Sequence, residues 1–178
     1  MPRLLGHPFR VLIYTIKALA LGHLAATYGY SAGFGWGPSM LPTFLTMNEW
    51  FVTDRSYRRG RGVAVGDCVV YSIPVEPGEE GIKRVLGMPG DYVLLNSPGV
   101  GSGNMIQVPK GHCYIVGDNL PWSRDSRDFG PLPMGLIKGK VVAKVVMNGW
   151  WPMNWFTRVE TGLHPAENSA DIAPNSPS

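Results

Sequence analysis

From Glu49 onward, glycine and proline are spaced so closely that no long helix fits between them, and this punctuation limits the fold more than any other feature of the chain. Proline removes a backbone donor and fixes φ, while glycine favours turns, so each interrupts a helix. Between these stops lie short runs rich in β-branched and aromatic residues, the pattern of strands. Predicted strands cover residues 49–56, 68–73, 82–87, 92–95, 105–108 and 112–116, with a last one inside 136–147. Residues 96–104 read as a Gly/Ser/Pro loop. With 23 Gly and 16 Pro in 178 residues and only 16% charged residues, the expected fold is mainly β and turn-rich, not a helical bundle.

The N-terminal part is of a different kind. Residues 1–48 hold Arg3, Arg10 and Lys17 and no acidic residue, so this segment alone carries the net charge of +3. Such placement points to a membrane-directed N-terminus and away from a nucleic-acid-binding surface. Residues 11–30 (VLIYTIKALALGHLAATYGY) have the ~20-residue length of a bilayer-spanning helix. Lys17 and His23 interrupt it, and an intramembrane lysine costs about 2.5–3.5 kcal/mol unless it snorkels or is paired. A retained signal anchor and a removable targeting segment are the two readings; the short distance to Ser39 favours the anchor. The positive flank then keeps the N-terminus inside and puts the rest across the membrane. The expected division is a basic segment and membrane anchor over 1–32, a β domain over 33–157, and a polar, disordered tail over 158–178.

Two further stretches carry alternatives. The basic loop Tyr57-Arg58-Arg59-Gly60-Arg61-Gly62 suits a solvated turn better than contact with anionic lipid or a partner. The aromatic cluster Trp150, Trp151, Trp155 and Phe156 fits a membrane-interface belt and burial against the β domain equally. Cys68 and Cys113 are far apart, with no CxxC and no ligand cluster, so buried free thiols are expected and no metal.

Chemistry is concentrated in three places. In Gly37-Pro38-Ser39-Met40-Leu41-Pro42-Thr43 two prolines hold a serine on a rigid loop, which makes it a nucleophile if a base reaches it. Lys83, with Ile82, Val85 and Leu86 around it, is the candidate base. Pointed inward, it loses hydration, its pKa falls, and a neutral amine is left to take a proton from a hydroxyl. The third place is the polar loop from Gly117 to Pro131. A histidine triad is disfavoured, because of His7, His23, His112 and His164 only His112 lies in the β domain.

With Pro-Ser-Met-Leu-Pro-Thr, Gly-Asp-x-Val-Val, Lys-Arg-Val-x-Gly-x-Pro-Gly-Asp and Gly-Asp-Asn…Ser-x-Asp-Ser-Arg-x-Phe-Gly, the sequence resembles the type I signal peptidase family in four ordered blocks across about residues 36–147. The resemblance implies a compact signal-peptidase-like β domain, behind a membrane-anchoring helix, that acts as a serine endopeptidase on targeting or sorting segments. It makes Ser39 the nucleophile and Lys83 the general base, with Ser123 orienting the Lys83 amine and Asp125 and Arg127 paired to hold their loop. Gly37, Pro38 and Met40 become the substrate-binding and oxyanion segment. Bacterial members carry a serine at the Gly37 position that donates to the oxyanion, so backbone N–H groups, first that of Ser39, are left for the task. Their long second β subdomain is also missing.

The small size, Tyr-Arg-Arg-Gly-Arg-Gly and Gly-Asp-Asn-Leu-Pro-Trp-Ser-Arg-Asp-Ser-Arg are most similar to the mitochondrial inner-membrane branch of that family. This implies a catalytic domain facing the intermembrane space, precursor polypeptides as substrates bound as an extended strand, contact with membrane lipid, and a sister catalytic subunit. No cofactor and no nucleic acid are implied. Two other readings compete. A non-catalytic membrane-tethered β module that docks a partner protease subunit has no need of Ser39, Lys83 and Ser123 together. A soluble Ser-Lys self-cleaving regulator has no need of the apolar N-terminal segment.

Overall fold

The computed structural model describes residues 8–47, 49–96, 103–145 and 156–159. Helix α1 (Pro8–Tyr28) covers most of the segment expected to span a bilayer. Among the described residues, however, no helix is long and apolar enough to cross a membrane. The reason is visible on the helix itself: Lys17 and His23 fall ~120° apart around its axis at 3.6 residues per turn, so polar groups break two faces. Leu12, Ile16, Leu19 and Leu24 are exposed, and no described side chain of α1 is buried against the domain.

The β fold begins at Tyr30, where the sequence reading still expected helix. The strands are β1 (Tyr30–Gly35), β2 (Glu49–Asp54), β3 (Cys68–Ser72), β4 (Glu80–Gly87), β5 (Tyr92–Leu94), β6 (Met105–Gln107), β7 (His112–Val116), β8 (Leu132–Pro133), β9 (Ile137–Val145) and β10 (Phe156–Arg158). An eight-stranded antiparallel sheet runs β1-β2-β9-β3-β4-β7-β8, with β10 also on β9, and β5-β6 form a separate ribbon. Register shifts at Val52/Thr53, Val70/Tyr71 and Val85/Gly87 bend the strands and curl the sheet. Although β2, β9 and β3 separate β1 from β4 in the sheet, a Cβ on Gly35 of β1 would lie 3.8 Å from Ile82 Cδ1 of β4.

Strand β3 shows why the core strands read as continuous apolar runs and not as alternating ones. Val69 and Tyr71 pack with Val85, Ile115, Leu132 and Ile137 on one side, while Cys68 and Val70 pack with Met40, Phe44, Phe51 and Val141 on the other. Both faces are buried, so polar residues are excluded from both. A third cluster of Val93, Val108, Tyr114 and Val116 joins the β5-β6 ribbon to the sheet. Cys68 and Cys113 are buried free cysteines, their thiols pushed up to about 12 chiefly by burial, which makes them inert.

Strand β1 escaped the sequence reading because YSAGFG lacks β-branched residues. Its glycines answer to packing: a Cβ on Gly33 would stand 2.4 Å from Phe51 Cζ. The short β8 and β10 were missed as well. The aromatic cluster at Trp150–Trp155, most of the tail over 158–178 and most of the Gly/Ser/Pro loop lie outside the described residues.

Candidate active site

Ser39 lies in a single 3-10 turn, Pro38–Met40, entered through Gly37 at φ 110° and ψ 155°. That positive φ suits glycine and strains any residue with a side chain. The turn is fastened at each end. Gly37 N–H donates to the Thr46 carbonyl at 3.1 Å, Phe44 N–H donates to the Met40 carbonyl at 2.9 Å, and Met40 itself is buried in the core. The Ser39 N–H has no hydrogen-bond partner among the described residues, whereas that of Gly37 is taken.

The loop after β7 closes over this turn. Asn119 donates its backbone N–H to the Ser39 carbonyl and its Nδ2 to the Pro38 carbonyl, both at 3.0 Å. At Gly117 a Cβ would lie 2.2 Å from Ser123 Oγ and 2.5 Å from the Ser39 carbonyl oxygen. Only glycine allows the serine turn and the Ser123 hydroxyl to converge there.

Lys83 sits in β4, opposite Val69 of β3, with 5% of its surface exposed. It makes no salt bridge or hydrogen bond with the described residues. Burial brings its pKa down to about 8, with Asp125 pulling it back up and Arg127 pushing it further down to lesser degrees. Ser39 and Lys83 line one cavity of about 1160 Å³. Its floor is a ladder of facing pairs, Gly35 with Glu49, Gly33 with Phe51 and Ser31 with Thr53, running away from the serine turn along β1 and β2. Neither His23 nor His112 lines it. No group of His, Cys, Asp or Glu among the described residues is arranged to hold a metal.

Ser123 does not hydrogen-bond to Lys83. Its hydroxyl donates to Asp125 Oδ2 at 2.6 Å, which leaves its lone pairs available to an amine. Asp125 is fully buried and caps the short helix α2 (Ser126–Phe129). It also accepts from Gly117 N–H at 3.0 Å and from Arg127 Nε and Nη2 at 2.8 and 2.9 Å. Burial pushes this carboxyl up, but hydrogen bonds from Arg127, Ser123 and the backbone outweigh it and hold the group below the usual carboxylate range. Arg127 Nη2 reaches on to the Leu120 and Ser123 carbonyls, so the pair fixes the whole Ser123 loop.

Arg84, Asp118, Asn119 and Thr43 stand inside the sequence motifs, which by themselves assign them no role. Arg84, adjacent to Lys83 and 6% exposed, grips Asp118 with Nε and Nη2 at 2.8 and 2.7 Å and the Gly66 carbonyl with Nη1 at 2.8 Å. The Thr43 hydroxyl donates to the same Asp118 carboxylate. The base strand, the serine loop and the Gly-Asp-Asn loop therefore meet at one charge pair. On the other flank Lys144 Nζ donates to the Thr43 carbonyl at 2.8 Å and lies 3.4 Å from Glu49, whose Oε2 accepts from Leu45 N–H at 2.6 Å. The signal for the first network was that Arg84 and Asp118, of opposite charge, each stand inside a motif block. Glu49 and Lys144 belonged to no block.

Comparison with known proteins gives a family model described as "Signal peptidase, peptidase S26", which matches residues 10–101 and 96–147. "Mitochondrial inner membrane protease subunit 1" of Saccharomyces cerevisiae is 39% identical over 142 residues, 73% of this chain and 75% of its own length. The proteins of the same name are 37% identical in Schizosaccharomyces pombe (82% of this chain, 92% of theirs) and 38% in Homo sapiens (85% and 88%). A solved signal peptidase I from Enterococcus faecalis is 21% identical and aligns at a TM-score of 0.36, over 44% of this chain and 95% of its own.

Proposed function

The chain belongs to the signal peptidase family, peptidase S26, and is a serine peptidase of that type; from this premise we propose that it removes targeting or sorting segments from precursor proteins at the mitochondrial inner membrane, with Ser39 as nucleophile and Lys83 as general base. One observation carries the catalytic part. Lys83 is a buried lysine with no carboxylate partner among the described residues, lowered to about 8, and it lines the same cavity as a serine on a rigid turn. A structural lysine would be ion-paired or exposed.

In the proposed reaction the neutral Lys83 amine takes the Ser39 hydroxyl proton as Oγ attacks the scissile carbonyl. The Ser39 N–H, unengaged in the free protein, donates to the oxyanion. Lys83 then passes its proton to the leaving amine, and a water deprotonated by the same amine releases the acyl group from Ser39. Ser123, held by Asp125, supplies a lone pair that orients the Lys83 ammonium, while Arg84 and Asp118 position the strand and the turn. The precursor lies as an extended strand on the β1-β2 floor. The relatives' names support the inner-membrane setting, and their designation as subunit 1 supports a companion subunit. We place the domain on the intermembrane-space side, with the exposed apolar side chains of α1 against the membrane.

The test is processing of a sorting-segment precursor in membranes that carry wild-type or Ser39→Ala protein. Cleavage should stop with Ser39→Ala while folding and membrane recovery stay unchanged. Normal processing by the variant removes this reading.

A further inference from the structure

We propose that Arg55, Arg58 and Arg59, at the end of the cavity far from Ser39, form an accessory substrate site for an acidic side chain of the precursor, about six residues from the bond that is cut; the proposal rests on the peptidase reading above. The geometry follows from the strand register. β1 and β2 pair from Gly35 with Glu49 beside the serine turn to Tyr30 with Asp54 at the other end. Arg55 comes next, its N–H on the Gly29 carbonyl at 2.9 Å. At ~3.3 Å per residue, the six steps from Gly35 to Gly29 make about 20 Å, the reach of six residues of an extended peptide on that floor. Arg55, Arg58 and Arg59 line the same cavity as Ser39 and Lys83.

The charge distribution says what such a site would hold. The other buried or partly buried arginines of this region are matched to carboxylates, Arg84 to Asp118 and Arg127 to Asp125. Arg55, Arg58 and Arg59 make no salt bridge with the described residues, and the one contact of this kind is Arg58 lying 4.3 Å over the Tyr28 ring. Their guanidinium donors stay available in fork geometry that fits a carboxylate. Arg59 also holds φ at 59°, a left-handed conformation that a plain solvated turn would give to glycine or asparagine. Glu79 and Glu80 line the cavity on the β3-β4 side and repel a substrate carboxylate from there toward the arginines, whereas Glu76 beside them is paired with Arg124 at 2.8 Å. Anionic lipid offers the same charge, but the opening of the turn into the Ser39 cavity favours a peptide.

The experiment is a cleavage profile on a peptide library of natural protein sequences, using membranes that contain the full-length protein and counting only cuts lost in Ser39→Ala. Wild-type cuts should be enriched in Asp or Glu within a window five to eight residues from the bond, on one side of it. Arg55→Gln/Arg58→Gln/Arg59→Gln should erase the enrichment, raise KM for acidic peptides about five- to tenfold with kcat kept, and change neutral peptides under twofold. A triple Arg→Glu variant should move the enrichment to Lys and Arg, a gain that misfolding cannot imitate. Ser39-dependent cuts with no acidic window, or one that survives the Gln variant, overturn the proposal and leave the peptidase reading standing. Loss of binding to anionic vesicles by the Gln variant with the cleavage profile unchanged assigns the arginines to lipid and also overturns it. Where no cut depends on Ser39, the peptidase reading fails. Retention of acidic peptides on Ser39→Ala protein, present or absent according to the three arginines, then decides the site separately.

Discussion

Neighbouring residues on β4 face opposite electrostatic fates. Lys83 is buried with no counter-charge among the described residues, and its ammonium form is penalised. Arg84, buried to the same degree, is gripped by Asp118 through two hydrogen bonds and stays charged. The difference teaches where each kind of cation belongs. A guanidinium keeps its proton and serves as a fixed clamp, whereas a desolvated amine gives up its proton within a useful pH range. Among the described residues, the clamp pairs its buried cation Arg84 with a carboxylate, and the site leaves Lys83 without one.

The largest effect expected from breaking this contrast is at Lys83. Lys83→Met should lower cleavage by about 10⁴-fold or more, because it removes the proposed general base. It should also stabilise the fold. A pKa of about 8 against an ordinary 10.5 corresponds to about 3 kcal/mol at ~1.36 kcal/mol per unit. The sign follows from proton counting: between about 8 and 10.5 the unfolded chain binds more protons, so wild-type stability rises with pH across that window. Thermal melts should show the variant ahead at pH 7 and level with wild type only above about pH 10.5, while wild-type activity climbs through about pH 8. A variant less stable at pH 7 would make Lys83 an ion-paired structural residue.

Asp118→Asn tests the other half. It removes the Asp118 carboxylate from the buried Arg84 guanidinium and should cost about 3–5 kcal/mol, read as a drop in the urea midpoint. A change under 1 kcal/mol would mean that water, not Asp118, satisfies Arg84. Ser123→Ala sharpens the comparison between them. If its hydroxyl orients the amine, kcat should fall about 10²-fold with KM kept, and the pH midpoint of activity should move. An unchanged pH midpoint with lower stability would confine Ser123 to its bond with Asp125. The smallest effect is at the serine turn. Gly37→Ser places a side chain at φ 110°, where nothing lies within 4 Å of the new Cβ, so the cost is backbone strain of about 1–2 kcal/mol and no clash. A rise in kcat despite that strain would show that a hydroxyl there can still reach the oxyanion.

Much of this was legible locally. Residues 112–116 and 82–87 match observed strands closely because apolar runs end at Gly, Pro and Asp. β1 was invisible, since its glycines are there to admit the Phe51 ring from another strand. The N-terminal helix was placed correctly and its bilayer crossing was not, because length alone does not offset Lys17 and His23. Ser123 lies in the loop that closes over the serine turn, but a motif does not state where a hydroxyl points, and Asp125 two residues on accepts its proton in a hydrogen bond.

By itself, then, the sequence determined the mainly β character, the order of the motif blocks and the apolar neighbours of Lys83, all of which depend on spacing over a few residues. Only the tertiary structure decided which buried cation is left without a counter-charge. Arg84 meets Asp118 across 34 residues, Thr43 meets Asp118 across 75, and Asn119 holds Pro38 across 81. Contacts so distant in the chain form when the sheet curls and closes loops from different strands onto one another, and no local pattern of side chains encodes that closure.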